Sequence, residues 1–386
     1  MTGTRDIASR LAALRGVTSP LPAAVEPVAQ PAAHRCLRAR FPLDMGLPAA
    51  EAASAHLAAL GREPRLRDVP LSRLLLLDTE TTGLSVGAGT VAWLVCLAWL
   101  EPRGASWDVH VEQHVIEEMR QEAAMLRAVI ARVTQAGALV SFNGRAYDVP
   151  LLESRSVLQR ERFPSGIPHL DLLHPARRFL RHALPDVRLA SVGERVLGRP
   201  RHDDIAGADI PQAWFEYLRT GRTEGIGRAI RHNEEDLSAL AALLAWLLAA
   251  VAGTGPEARR VSQLALAEHR LGLGDRRGAC ELLADAAARP AAREETSPRL
   301  ARLTKRLLGP EAARPLWAAL MASGCPCAEP WEEAAKLLEH RDRDTRGARG
   351  VVLQALRRFP SGPAGARLLR RQARLARQCE RLPAGT

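Results

Sequence analysis

The sequence predicts a mixed α/β domain followed by an all-helical arm, and three observations carry that reading. In Leu74–Leu84 (LLLLDTETTGL) four leucines run straight into two carboxylates, the pattern of a strand buried on both faces that ends in a polar cluster. From there to Phe142 the segments read strand, strand, strand, helix, strand, the order of a mixed sheet flanked by helices. Beyond Gly253 the composition shifts to Ala/Arg/Leu helices that echo one another 71 residues apart. The expected organisation is a leader over 1–30, an α/β domain over 31–252 and helical repeats over 253–386, closed by a basic helix.

Residues 1–30 are rich in Ala and Pro and read as a mobile leader. HRCLRARF, residues 34–41, alternates in part, as an edge strand does, and the Ala-rich stretch 50–61 reads as a short helix stopped by Gly61. Val91–Glu101 is nearly all apolar, and Pro102-Arg103-Gly104 is a turn. Trp107, Val109, Val111 and Val115 then stand against Asp108, His110, Glu112 and His114, so three strands should form an antiparallel meander with one face buried. Glu118–Ala136 carries Leu126, Val129, Ile130 and Val133 at helical spacing, and Ala138–Phe142 returns as a strand. Asn143-Gly144 ends that strand and Asp148 opens a helix. HLDLLHP, residues 169–175, reads as another short strand before a proline. Residues 228–250 form a long helix with Leu237, Leu240, Leu243, Leu244 and Leu247 on one stripe.

In the last third, Leu266–Ala286 echoes Leu337–Leu356, and Glu268-His269-Arg270 recurs as Glu339-His340-Arg341. The offset is about two units of a 34-residue helix–turn–helix repeat. Pro363–Leu382 is a final amphipathic helix with six arginines and one acid, Glu380.

A 47% hydrophobic fraction supports real cores, although aromatics make up only 4%. No apolar run of about 18 residues is evident and the N-terminus has no apolar h-region, so no membrane association and a cytoplasmic location are expected. Six scattered cysteines do not make a disulfide framework, and Cys325-Pro-Cys327 lacks the second pair that a zinc site needs. The net charge is +11, and 25 basic against 15 acidic residues lie from Gly253 onward. A near-neutral front with a basic tail suits a polyanionic partner, and an arginine-rich genome would produce the same bias. Arg155–Arg201 holds ten arginines and four acids, enough for phosphate contacts along one side of a cleft, or for solvated helix faces.

Asp78 and Glu80 are the leading candidates for chemistry. Residues i and i+2 of a strand share a side, so the two carboxylates repel unless a cation sits between them, and a hard divalent ion is the usual one. A strand that merely ends at solvent looks the same locally. Asp148 at a helix start is favoured by the helix dipole with or without a metal. His232 and Asp236 are four apart on one helix and therefore neighbours, as in many surface pairs.

Taken together, Asp78-x-Glu80, Asp148 in a strand-to-helix turn and Asp236 with His232 resemble the DEDD superfamily of 3′–5′ exonucleases, whose domain is ribonuclease-H-like. SFNGRAYDVPLLESR is similar to the second exonuclease motif of family B DNA polymerases, and HLDLLHP and RLASVGERVLG to the segments after it. DTETTGLSVGAGTVAWLVCLAWLE, HLDLLHPARRF and HDDIAGADIP ahead of HNEEDLSAL narrow the resemblance to a bacterial YprB-type family, in which tetratricopeptide-like repeats follow the ribonuclease-H-like domain. The resemblance implies a nucleic-acid substrate, DNA or RNA, hydrolysed from its 3′ end with two Mg²⁺ or Mn²⁺ ions. It implies that Asp78 bridges both ions, that Glu80 and Asp236 complete one site, that Asp148 serves the other and that His232 is the general base. It places Thr79, Thr81, Asn143 and Arg145 near the substrate and leaves the repeats for a protein partner. A catalytically inactive scaffold or a nucleic-acid binder is the alternative. One departure stands out: the spacing from His232 to Asp236 is that of the superfamily's tyrosine class, with the residue of its histidine class.

Overall fold

The computed structural model describes residues 33–43, 47, 50–83, 89–104, 106–201, 204–253, 255–288 and 296–381. The leader expected over 1–30 lies outside the described residues, as do His202 and Asp203. Six strands, β1 (Arg35–Pro42), β2 (Leu74–Thr81), β3 (Ala92–Arg103), β4 (Ser106–Val115), β5 (Ala138–Ser141) and β6 (His169–Asp171), form one sheet in the order β1-β4-β3-β2-β5-β6. The meander is present: β2 pairs with β3 and β3 with β4, all antiparallel, and β1 adds to β4 at the edge. β5 lies parallel to β2, and β6 parallel to β5. Parallel pairing needs crossovers, which the helices α2 (Glu122–Gln135) and α3 (Asp148–Leu158) provide.

β2 is the central strand. Leu74 and Leu76 feed one core, while Leu75 and Leu77 feed a second on the opposite face, which is why the run is continuous instead of alternating. α1 (Ala50–Gly61), α4 (Leu173–Leu180), α5 (Leu189–Arg195) and most of α7 (Glu224–Ala252) fill the first face. α2, α3, α6 (Ile210–Thr220) and the start of α7 fill the second, where Trp93 of β3 stacks on Trp214 of α6 at 5.1 Å.

Three expectations need correction. β4 is buried on both faces: Glu112 is only 3% exposed, because β1 and α2 cover it with Arg38 and Arg132, whose guanidinium nitrogens donate to it at 2.7–2.9 Å. The strand expected to run up to the residue before Pro175 stops earlier, at Asp171, and Pro175 fits the first turn of α4, where no backbone donor is needed. α7 also contains an 18-residue window of mean hydropathy 1.7, long and apolar enough to cross a membrane; 72% of that window is buried inside the protein. It is apolar all round because it is covered on all sides.

The arm runs through α8 (Gln263–Gly272), α9 (Arg276–Ala288), α10 (Pro298–Leu308), α11 (Arg314–Ala322), α12 (Glu329–His340), α13 (Thr345–Arg358) and α14 (Gly362–Glu380), each packed on the next. Trp317, Leu300, Leu316, Leu368 and Leu375 belong to its own core. Val261, Ala265 and Leu266 instead join the core of the sheet domain, so the arm begins inside that domain. Of the six arginines on and just after α14, Arg367 pairs with Glu332, and Arg371 and Arg374 with Glu339. Half of the basic tail is therefore engaged with the protein itself.

Candidate active site

The site is built where β2 ends. Asp78 and Glu80 point from the strand toward α7, on the same side as Leu76. Asn233 of α7 is fully buried and donates from Nδ2 to Asp78 Oδ2 at 2.7 Å. Its Oδ1 accepts from Gln113 Nε2 at 3.3 Å, and the same amide nitrogen donates to the carbonyl of Ile230 at 2.8 Å. β4 therefore holds α7 in place, and α7 holds the first carboxylate.

Asp148 reaches the cluster from the start of α3. Thr79 Oγ1 donates to Asp148 Oδ1 across the strand end. The loop before α3 must fold tightly to allow this. Asn143 adopts φ +73°, and a Cβ on Gly144 would lie 2.7 Å from both Asp148 Oδ2 and Ser141 Oγ, so only glycine fits there. Asp171, at the end of β6, clamps the loop by accepting the backbone N–H groups of Asn143 at 2.7 Å and Arg145 at 3.2 Å.

The electrostatics are those of a cluster short of positive charge. Burial, then the charges of Asp148 and Glu80, raise Asp78 well above the ordinary carboxylate range. Burial likewise pushes Glu80 up to about 8, with Asp148 adding to it and Asn233 opposing. Asp148 is raised to about 6 by burial, against the hydrogen bond from Thr79.

Beside this cluster lies a second network. Arg201 forms an ion pair with Asp236 and donates to Asp204 Oδ2 at 3.1 Å. His232 Nδ1 lies 2.6 Å from Asp204 Oδ1, and its Nε2 lies 3.4 Å from Asp236 Oδ2. Burial opposes ionisation of Asp204, and the contacts with His232 and Arg201 outweigh it and hold its acidity below the usual range. The charge of Arg201 also acts on Asp78 and Glu80, lowering both. One guanidinium thus supplies part of the positive charge that the acids lack.

Asp78, Glu80 and Asp148 are brought together; Asp236 and His232 stand next to them in the Arg201 network. Oxygen donors that are half-buried and repel one another fit a hard divalent cation in kind. Among the described residues, however, no three acidic, histidine or cysteine side chains form a group able to hold an ion. Thr79 is engaged with Asp148, and Thr81 Oγ1 donates to the carbonyl of Gly83 at 2.6 Å. Asn143 and Arg145 lie on the loop, and the Arg145 side chain is exposed.

Sequence reasoning missed Asn233, Arg201, Asp204 and Asp171. A signal existed for Asn233: it precedes Leu237, Leu240 and Leu244 by 4, 7 and 11 residues, so it is a polar side chain on an apolar stripe. Arg155, counted among the arginines available for phosphate, is instead buried against Glu122, with Nε 2.5 Å from Oε1.

Residues 75–248 match a family model of the RNase_H superfamily (RNase_H_2). The chain is 34% identical over 175 residues to an uncharacterized protein, YprB of Bacillus subtilis (strain 168). That alignment covers 45% of this chain and 41% of the relative, so the chain spans well under half of the relative's length. The fold is accordingly a ribonuclease-H-like core with a mixed sheet, continued by a region of helices.

Proposed function

We propose that the protein is a metal-dependent nuclease that releases nucleotides from the 3′ end of a DNA or RNA strand. The observation that carries this reading is the half-buried, mutually repelling set Asp78, Glu80 and Asp148 at the end of the central strand, within the stretch that matches the RNase_H superfamily. Asp78, Glu80, Asp148 and Asp236 would hold two Mg²⁺ or Mn²⁺ ions. When bound, such ions supply an activated water and neutralise the charge that builds on the phosphodiester and its leaving oxygen.

The remaining roles belong to the chain. Asn233 fixes the orientation of Asp78, and Thr79 that of Asp148. Asp204 Oδ1, 2.6 Å from His232 Nδ1, would orient the ring so that Nε2, beside Asp236, is the atom that would accept a proton from the attacking water. Tyr147 is half exposed next to Asp148 and offers a ring on which a terminal base can stack.

The test is incubation of the purified protein with end-labelled single strands of DNA and of RNA, with Mg²⁺ or Mn²⁺ and with chelator. We expect shortening from the 3′ end that requires metal and is lost in Asp78→Asn, with the melting temperature of that variant equal or higher. A folded protein that cleaves neither strand under any metal defeats the reading. The ion pair between Arg201 and Asp236 favours one rival, a ribonuclease-H-like scaffold or binder without chemistry whose arm takes a protein partner. Salt-dependent strand binding with no product would identify that rival.

A further inference from the structure

A second concentration of charge lies away from the carboxylates, where the arm meets the sheet domain. The end of α1, the turn after it, α4 and α8 line an open cavity of about 320 Å³. Arg62, Arg67 and Arg178 all line it. Arg62 and Arg67 are exposed and take no ion-pair partner among the described residues. Arg178 is half-buried; it donates from Nη2 to the carbonyl of Leu60 at 2.9 Å, while its buried Nε has no partner. Burial, then the charge of Arg62, lowers the Arg178 guanidinium to about 10, even with Glu268 nearby.

Among the described residues, protein groups do not balance this charge: Glu268 is the one acid of these that lines the cavity, and Arg299 already pairs with it at 2.7 Å. His269 stacks on His56 with ring centroids 5.2 Å apart, and its Nε2 lies 2.9 Å from His56 Nδ1. Its Nδ1 is buried and unpartnered. Burial, then the neighbouring His56, Arg178 and Arg270, push His269 down to about 3, so the histidine is neutral and can donate one hydrogen bond.

Three guanidiniums around one cavity call for an anion with several acceptor oxygens. A carboxylate is planar and offers two; a phosphate offers three around a tetrahedral centre, and arginine forks match it. The volume lies at the lower end of small-ligand sites, which begin at about 300 Å³. We propose that this cavity binds a phosphate group and that the bound phosphate ties α8 to the sheet domain. The phosphate can come from the terminal phosphate of a nucleic-acid strand, since an internal phosphodiester has only two free oxygens, or from a free nucleotide. Only the first source rests on the nuclease reading.

The test uses the full-length protein in chelator, so cleavage plays no part in it. Inorganic phosphate is titrated against thermal unfolding and followed by phosphorus NMR, with chloride at matched ionic strength as the control. We expect a saturable rise in melting temperature, and at least tenfold weaker half-saturation in Arg62→Gln/Arg67→Gln. Those two side chains are exposed, so the variant should fold; Arg178→Gln removes the bond to Leu60 and serves only as a second variant. A short single-stranded oligonucleotide with a 5′-terminal phosphate that displaces inorganic phosphate identifies a strand as the source. Displacement by a nucleoside monophosphate and not by the oligonucleotide identifies a free nucleotide. A rise equal to that with chloride, or one unchanged in Arg62→Gln/Arg67→Gln, overturns the proposal.

Discussion

Asn233 shows how one side chain can set the behaviour of a site it was not expected to belong to. Asp78 has a strong donor only because a buried amide on α7 faces it, itself held by Gln113. Asn233→Ala leaves a buried carboxylate without that donor and should cost about 1–3 kcal/mol of stability near pH 8, and less near pH 6, by denaturant unfolding. The acids themselves give the pH dependence its sign. Glu80 near 8 and Asp148 near 6, with Asp78 also raised, have folded values above their unfolded values of about 4. Their stabilising contribution is complete below about pH 4 and is lost as the pH rises through the folded values. The metal-free melting temperature should therefore fall between about pH 4 and pH 8, and Mg²⁺ should recover it most at the upper end. A flat profile would mean that these carboxylates are not desolvated. Arg201→Gln removes the internal cation: the metal-free protein should melt lower, while the Mg²⁺ concentration that half-restores stability falls about tenfold. An unchanged Mg²⁺ midpoint would show that Arg201 does not compete for the site. Asp78, Glu80 and Asp148 were legible because strand alternation and a helix start are local patterns. Arg201 and Asp204 were not, because they lie in an irregular segment where no period says which way a side chain faces.

At the scale of elements, most of the reading survived because each strand or helix carries its own pattern. The leucine run, the meander and the long helix all lie where periodicity put them. The errors arose where tertiary cover overrode that pattern. The polar side of β4 looked solvated but is buried under arginines, and three arginines of α14 looked free but hold Glu332 and Glu339. Charge patterns show that a residue is polar and do not show what neutralises it. Glu339 is nearly enclosed between α12 and α14, with 6% of its side chain exposed. Glu339→Gln should cost about 1–3 kcal/mol, since its two arginines are partly solvated and can recover some hydration, with exchange protection lost first along α14. Equal protection in both proteins would reduce these pairs to surface decoration. The stacked pair Trp93 and Trp214 fastens α6 to the sheet, so Trp214→Ala should lose about 3–5 kcal/mol in chemical denaturation.

For the whole molecule, the boundary between sheet domain and arm is better described by cores than by composition. The change at Gly253 is real in the sequence, yet Val261, Ala265 and Leu266 complete the core that begins at Leu43. A protein ended at residue 252 should melt lower and aggregate more than one ended at residue 288, as scanning calorimetry and light scattering of the two would show. Equal stability would place the boundary at the composition change. One helix serves both parts. α7 is about 43 Å long at 1.5 Å per residue; it carries Asn233 and Asp236 in its first half and, in its second, Trp246 beneath Arg260 and Leu248 in the core shared with α8. A straight rod of that length acts as a lever. A tilt of about 5° at the arm end would shift Asn233, about 28 Å away along the rod, by about 2.5 Å, close to the length of its bond to Asp78. Whatever loads the arm is thereby felt as torque where the carboxylates meet.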